Sequence, residues 1–324
     1  MRHCFFVIGL MLLYGITVPA QAQGSSGSYP SKPIRMIISF VPGGPNDIVG
    51  RLVARRIEQE LGQPVIVENR GGASGTLGTT LASKAVSDGY TLLIGGLGTL
   101  GISPSIYPKL GYNVLRDFEH IAMIAVVGNL LVTHPSVPAK NLKELIALAK
   151  KNPGKLNYAS VGSTSHLMAE MLNSMAGIKT THVPYKGSSP ALVALISGEV
   201  DFFLNAFPGL LPHVTAGKLR ALALASDKRS RFVPEIPTMI ESGLPGYSAS
   251  TWFSLAAPSG TSKEILMRLN QVLAKGLQSQ ELIDSFAKLQ AEVMITSPDE
   301  TTDFIKREIS KWAKAGEAAG VKPE

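Results

Sequence analysis

Cysteine is all but missing from this 324-residue chain: the one present, Cys4, stands ahead of an N-terminal apolar run. Arg2, the run Phe5 to Val18, Pro19 and the small-residue pattern Ala20-Gln21-Ala22 read as a secretory signal, residues 1–22, cleaved near Ala22. Cys4 does not sit at that cleavage point, which argues against a lipoprotein anchor. The mature chain then has no thiol, so disulfides, thiol catalysis and cysteine metal sites are excluded.

A second long hydrophobic run is also lacking. The best, Ile121 to Val132, is interrupted by Gly128 and Asn129 and is too short to span a bilayer; it reads as buried strand. There is no basic stripe either. The formal charge of +7 falls to +6 once Arg2 is removed, and the Lys and Arg residues are scattered over predicted helix surfaces. That excludes a nucleic-acid partner and suits anionic ligands.

Catalytic and cofactor motifs are absent as well. No Gly-x-Ser-x-Gly occurs, since Gly72-Ala73-Ser74-Gly75 brings its last glycine one residue early, and there is no zinc-spaced histidine pair and no P-loop. Gly96-Leu97-Gly98-Thr99-Leu100-Gly101 formally fits G-x-G-x-x-G. It closes a third strand instead of a first, Pro104 and Pro108 spoil the helix that should follow, and an exported protein has little access to NAD. No catalytic residue, cofactor or metal is therefore expected.

What is present is a pattern used twice. The first half reads as strand (Ile34 to Val41), glycine loop, helix (Asp47 to Leu61), strand (Val65 to Val67), the loop Asn69 to Gly75, helix (Leu77 to Val86) and strand (Tyr90 to Ile94). The middle repeats these parts: strand (Leu156 to Val161), the loop Gly162-Ser163-Thr164-Ser165, helix (His166 to Met175), strand (Thr181 to Val183), the loop Pro184 to Ser189, helix (Pro190 to Ile196) and strand (Val200 to Leu204). Such alternation builds parallel sheets with right-handed crossovers, and ligands collect at the carboxyl ends of the strands.

The predicted architecture is α/β with two lobes, each a mostly parallel sheet flanked by helices. Residues 29–124 form the first part of lobe one and 125–225 form lobe two. Residues 226–324 return with the C-terminal helices, Lys263 to Leu277 and Pro298 to Ala315, to complete lobe one. Crossings of this kind permit closure around a ligand.

Each lobe opens its first helix with a loop suited to an anion. In Phe40-Val41-Pro42-Gly43-Gly44-Pro45-Asn46-Asp47, glycines ahead of a helix leave N–H groups uncovered, beside roughly half a positive charge at the helix N-terminus. Facing lobes would point two such termini into one cleft, whose guest is a small molecule with acidic groups at both ends.

Tyr29 to Arg35, Phe40 to Asp47, Glu68 to Gly75, Asp88-Gly89-Tyr90-Thr91-Leu92-Leu93, Val183-Pro184-Tyr185-Lys186-Gly187 and Leu244-Pro245-Gly246-Tyr247 together resemble the Bug, or TctC, family. These are periplasmic substrate-binding receptors of tripartite tricarboxylate transporters, and the resemblance covers essentially the whole mature chain. It implies a type II periplasmic binding fold of the Venus-flytrap kind, no catalysis, a periplasmic monomer, and delivery of a carboxylated solute to membrane permease subunits. A sensor kinase in place of the permease, or a secreted enzyme of the same architecture, are the alternatives.

The resemblance also implies site residues. Gly43 and Gly44 amides would hold one carboxylate with Phe40 as a wall, while Asp47 either orients waters on it or caps the helix. Ser160, Gly162, Ser163, Thr164, Ser165 and His166 would hold the other end, the hydroxyls acting on the ligand or merely as caps and His166 as a donor or a packed ring. Gly75 and Thr99 would line the mouth. Asp201 is expected near the interlobe end of its strand, binding ligand or tying down a loop. Asn205 stands where the family frequently has an acidic residue and Ser103 where it has asparagine, which leaves open whether the solute is a di- or tricarboxylate, an amino acid or an aromatic acid.

Overall fold

Ile34, Met36, Ile37 and Ile38 are fully buried. A strand hidden on both faces is written as a continuous apolar run, and that run is β1 (Ile34–Ile38). The computed structural model describes residues 29–107, 109–318 and 320, and the expected signal segment lies outside them.

Helix α1 (Pro45–Leu61) follows, starting on Pro45, whose fixed φ and missing N–H suit a first helical position. Val49, Val53 and Ile57 form its buried stripe, and Gly62 in the left-handed conformation ends it. Next come β2 (Val65–Asn69), α2 (Thr76–Ser83) and β3 (Thr91–Gly96). The glycine-rich segment Leu97–Ile102 then winds as a π-helical turn into the short α3 (Ser103–Ile106).

The apolar segment expected to change lobes is broken at Gly128 into β4 (Phe118–Val127) and β5 (Asn129–Thr133). The second unit comprises α4 (Leu142–Lys151), β6 (Asn157–Val161), α5 (Gly162–Ala176), β7 (Thr181–Tyr185), α6 (Ser188–Ser197), β8 (Phe202–Ala206), α7 (Phe207–Thr215) and β9 (Arg220–Leu224). The tail gives β10 (Thr251–Pro258), α8 (Lys263–Leu277), α9 (Gln280–Lys288), β11 (Glu292–Val293) and α10 (Pro298–Ala318).

Two sheets result, ordered β11-β4-β10-β3-β1-β2 and β7-β6-β8-β5-β9. In each, the strands of the βαβ unit are parallel and the crossing strands join antiparallel: β10 to β3 and β4, β5 to β8 and β9. The chain passes between sheets at Val127 to Asn129 and again just ahead of Thr251.

The return differs from its sequence reading. Residues 226–249 do not go straight back to the first sheet: Met239 donates to Leu224, Ala249 donates to Ala225, and Val233 and Ile236 pack with Leu130 and Phe203. Only β10 enters the first sheet. Its Trp252 joins Leu97, Leu100, Ile305 and Trp312 in a core that continues to Leu167, Met168 and Leu172 of α5. Full burial of each such side chain contributes about 1.5–3 kcal/mol. Helix α10 thereby packs against both lobes beside the crossings.

Candidate functional site

Carboxyl ends of β1, β2 and β3 meet at the first loop, and Asp47 organises it. This side chain is buried, yet it accepts hydrogen bonds from the Gly43 amide at 2.9 Å, from Arg51 Nε at 3.0 Å and from Asn69 Nδ2 at 2.9 Å. Asn69 Nδ2 also reaches the Phe40 carbonyl at 3.0 Å, and Arg51 Nη2 donates to Asn69 Oδ1 at 3.1 Å. Burial alone would raise the Asp47 carboxyl, but the hydrogen bonds from Arg51, Gly43 and Asn69 hold it below the usual carboxylate range. It is an ionised pin for the loop.

One consequence concerns Gly43. Its amide, expected to meet a ligand, is committed to Asp47. The amides of Gly44, Asn46 and Asp47 precede the first intrahelical bond, from Ile48 N–H to the Gly44 carbonyl, and these carry the anion-binding capacity of the terminus.

Phe40, Gly75 and Thr99 converge beside it. A Cβ at Gly75 would stand 2.7 Å from Thr99 Cγ2 and 2.8 Å from Phe40 Cζ, and Gly75 has a φ of +89°, so only glycine fits. The loop ahead of it holds Ala73 and Ser74 at φ 46° and 53°, left-handed values that cost non-glycine residues about 1–3 kcal/mol and recur at ligand clamps. Asn46 Oδ1 lies over Gly96, at the end of β3.

The second loop divides into committed and available hydroxyls. Ser165 is buried and turns back, accepting from the Val161 amide and donating to the Val161 carbonyl at 3.1 Å. Ser160 is also buried, bonded to the His182 ring. Ser163 and Thr164 remain half-buried on the first turn of α5, next to Gly162 with a φ of +59°. Thr164 Oγ1 lies 3.6 Å from where a Cβ at Gly98 would be, so the second-lobe loop faces the turn that follows β3. At this point the two lobes share one mouth.

His166 faces sideways. Its Nδ1 lies 2.8 Å from the Tyr158 hydroxyl and its ring stacks on His182 with centroids 4.0 Å apart. Asn205, at the carboxyl end of β8, donates to Ser188 Oγ at 3.2 Å where α6 begins. Asp201 requires a correction. It precedes β8, at the end of the sheet away from the mouth, and its carboxylate accepts the Asn157 amide at 2.6 Å. The strand begins one residue beyond Asp201, so the side chain belongs to the amino edge, where it ties β6 to β8.

A cavity of about 360 Å³ lies elsewhere, behind the crossings, walled by Gly128, Phe207, Ser250, Trp252, Phe304 and Lys311 among others. None of the candidate residues lines it, and of its three cations, Lys228, Arg229 and Lys311, two are paired, Arg229 with Glu241 and Lys311 with Glu308. The candidate residues gather instead at the mouth between the loops, where the Gly44, Asn46 and Asp47 amides precede the first intrahelical bond.

Sequence reasoning overlooked Arg51, Asn69, Asn46, Gly98 and the Tyr158, Glu170 and His182 group. The i, i+4 spacing of Asp47 and Arg51 on one helix face was a usable signal. Asn69 ends β2, and the rule that ligands gather at strand carboxyl ends pointed to it.

Residues 49–321 match TctC, the Tripartite tricarboxylate transporter family receptor. The chain belongs to this family. It is 39% identical to Protein BugT of Bordetella pertussis over 99% of both chains. Among solved structures, R. palustris Rpa4515 with adipate is 34% identical with a TM-score of 0.80, covering 91% of this chain and 100% of that one. MatC of Rhodopseudomonas palustris with bound malate is 33% identical with a TM-score of 0.75, covering 89% and 99%. The TctC receptor described here therefore has the two-lobed fold of periplasmic solute-binding proteins, and it is a binding receptor, not an enzyme. Among its described residues no helix is long and apolar enough to cross a membrane. The sensor kinase weighed from the sequence finds no support in these matches.

Proposed function

We propose that this receptor closes its lobes on a small solute with a carboxylate at each end and hands it to the membrane permease of a tripartite tricarboxylate-type transporter. One carboxylate lies on the amides of Gly44, Asn46 and Asp47, against Phe40. The other lies on Ser163, Thr164 and the first amides of α5, with Asn205 at the side of the mouth.

The approach of Thr164 to Gly98 supports this reading most, because Gly98 lies in the turn after β3, whose end at Gly96 also lies beside Asn46 of the first loop. Two helix N-termini facing one guest provide partial positive charge at both ends without a cationic side chain. That arrangement suits an elongated dianion, and the neighbours solved with adipate and malate both hold dicarboxylic acids. The family's description supports a permease as the recipient.

A thermal-shift screen of the exported chain against di-, tri- and monocarboxylic acids, with the matching amides as neutral controls, tests the site. A solute at a hundredfold excess over its dissociation constant adds about 2.7 kcal/mol of stability. The reading expects a shift with a diacid and none with its monoamide. Equal shifts with both would remove the two-anion cleft.

A further inference from the structure

The cavity of about 360 Å³ behind the crossings takes its walls from both lobes. Phe207 and Asp227 come from lobe two, Gln290, Glu292 and Phe304 from lobe one, and Gly128 and Ser250 from the crossings themselves. Its volume lies at the lower end of small-molecule sites. Three aromatic side chains, Phe207, Trp252 and Phe304, give it apolar walls, the last two set edge to face with centroids 5.5 Å apart.

The charged groups of the wall do not cancel. Asp227, Glu292 and Glu308 stand in it with Lys228, Arg229 and Lys311. Arg229 is drawn away to Glu241 at 2.9 Å and to the Pro234 carbonyl at 2.9 Å, neither of which lines the cavity. Lys311 is spent on Glu308, whose other oxygen accepts the indole N–H groups of Trp252 at 2.9 Å and Trp312 at 3.1 Å. Among the described residues, Asp227 and Glu292 are then left against Lys228 alone. The Glu292 carboxylate accepts only the Ser230 hydroxyl, at 3.3 Å. Gln290 adds one more acceptor: its φ is 51°, a left-handed value costly for a residue with a side chain, and its Oε1 is buried without a hydrogen-bond partner.

We propose that this cavity is a second ligand site, specific for a small organic cation: an amine on an apolar body the size of one aromatic ring with a short chain. The ammonium lies toward Asp227 and Glu292, where the Gln290 carboxamide can turn its oxygen to it, and the body lies among the three rings. The chemistry reverses that of the mouth, where backbone N–H groups face a carboxylate. Ring faces attract a cation and the leftover carboxylates do the same, whereas an acid of equal shape meets two carboxylates and one lysine. The proposal does not depend on what the mouth binds.

The test uses 2-phenylethylamine on the whole exported chain, with 3-phenylpropionate as the acid of similar shape and 2-phenylethanol as the neutral body. Trp252 lines the cavity, Trp312 shares its Glu308, and the chain has no other tryptophan, so indole fluorescence reports entry while calorimetry gives the affinity. The amine should saturate one site and bind more than about tenfold tighter than either control. Single charge changes in the wall should act with opposite signs: Glu292→Gln weakens the amine about twofold and Lys228→Gln tightens it by as much. Gln290→Gly, which the left-handed backbone accepts, should weaken the amine and keep the fold. Gly44→Val, in the mouth, should leave amine affinity unchanged. An amine that does not saturate, or that binds no tighter than the acid or the alcohol, overturns the proposal. Affinity that ignores both charge variants also overturns it, and so does amine binding lost in Gly44→Val, which would place the amine in the mouth.

Discussion

The Asn129 carboxamide accepts the Thr251 hydroxyl at 3.2 Å, while its Nδ2 donates to the Ala249 carbonyl. Asn129 begins β5 on the first crossing between lobes, and Ala249 and Thr251 flank the second, so one fully buried side chain ties both passages together. The backbone extends the tie: the Ala225 amide donates to the Asn129 carbonyl at 2.8 Å, and Ala249 N–H donates to the Ala225 carbonyl at 3.0 Å. The two crossings are thus held to one another through side chain and backbone alike.

Asn129→Ala should therefore cost about 1–3 kcal/mol, because it strands the buried Ala249 carbonyl and leaves the half-buried Thr251 hydroxyl without this partner. Denaturant unfolding measures the loss. Scattering in solution should also show a broader spread of lobe angles than in the wild type, whereas an unchanged profile would mean that the backbone ties alone define the hinge.

At the first loop, glycines separate binding from folding. Gly44 has an ordinary φ of −81°, and a Cβ there would meet nothing nearer than the Val41 carbonyl at 3.8 Å. Gly44→Val should keep the fold while covering the free amides, weakening the solute more than tenfold, or about 1.4 kcal/mol. Gly75→Ala should do the opposite first, lowering the midpoint of unfolding because its Cβ collides with Thr99 and Phe40. Calorimetry on both variants separates the two effects.

For Asp47, the sign of the pH effect follows from its depressed carboxyl. In the unfolded chain the group titrates near about 3.9, so its contribution is fully present above that value and is lost as pH falls through the lower folded value. Asp47→Asn should be less stable than the wild type at pH 7, with the difference shrinking below about pH 4. Unfolding midpoints measured from pH 7 to 3 check this.

His120 predicts a second, separate window. It is buried with Nε2 on the Val114 carbonyl at 3.1 Å, and burial pushes its imidazole down to about 4. Its folded value lies below the unfolded one of about 6.5, so the unfolded chain takes up the proton first as pH falls. Stability from this site should decline between pH 6.5 and 4, by about 3 kcal/mol if the group acts alone. His120→Gln, which keeps a donor for Val114 and removes the titration, should flatten the pH dependence of unfolding in that interval.

How far the site was legible can be followed residue by residue. Phe40, Gly75 and Thr99, drawn from three separate segments, do meet, because each follows a strand of one parallel sheet and such ends share an edge. Ser163 and Thr164 likewise follow a strand, β6, and stand on the first turn of α5, as the strand-loop-helix pattern placed them. Asp201 was misplaced against its own strand reading: in Val200 to Leu204 it already stood near the amino end, and the structure puts it just before β8 with its carboxylate on the Asn157 amide, away from the mouth.

By itself, the sequence determined the two βαβ units, their glycine loops, the long C-terminal helices and the family. Apolar period, capping residues and turn glycines act between neighbours a few positions apart, so the chain states them locally. Tertiary structure alone decided which donors are spent: the Gly43 amide on Asp47, Asn69 on the same carboxylate, Ser160 on His182, and Asn129 across both crossings. Those commitments depend on which distant groups fold within about 3 Å of one another, a condition set by packing and not by any local pattern.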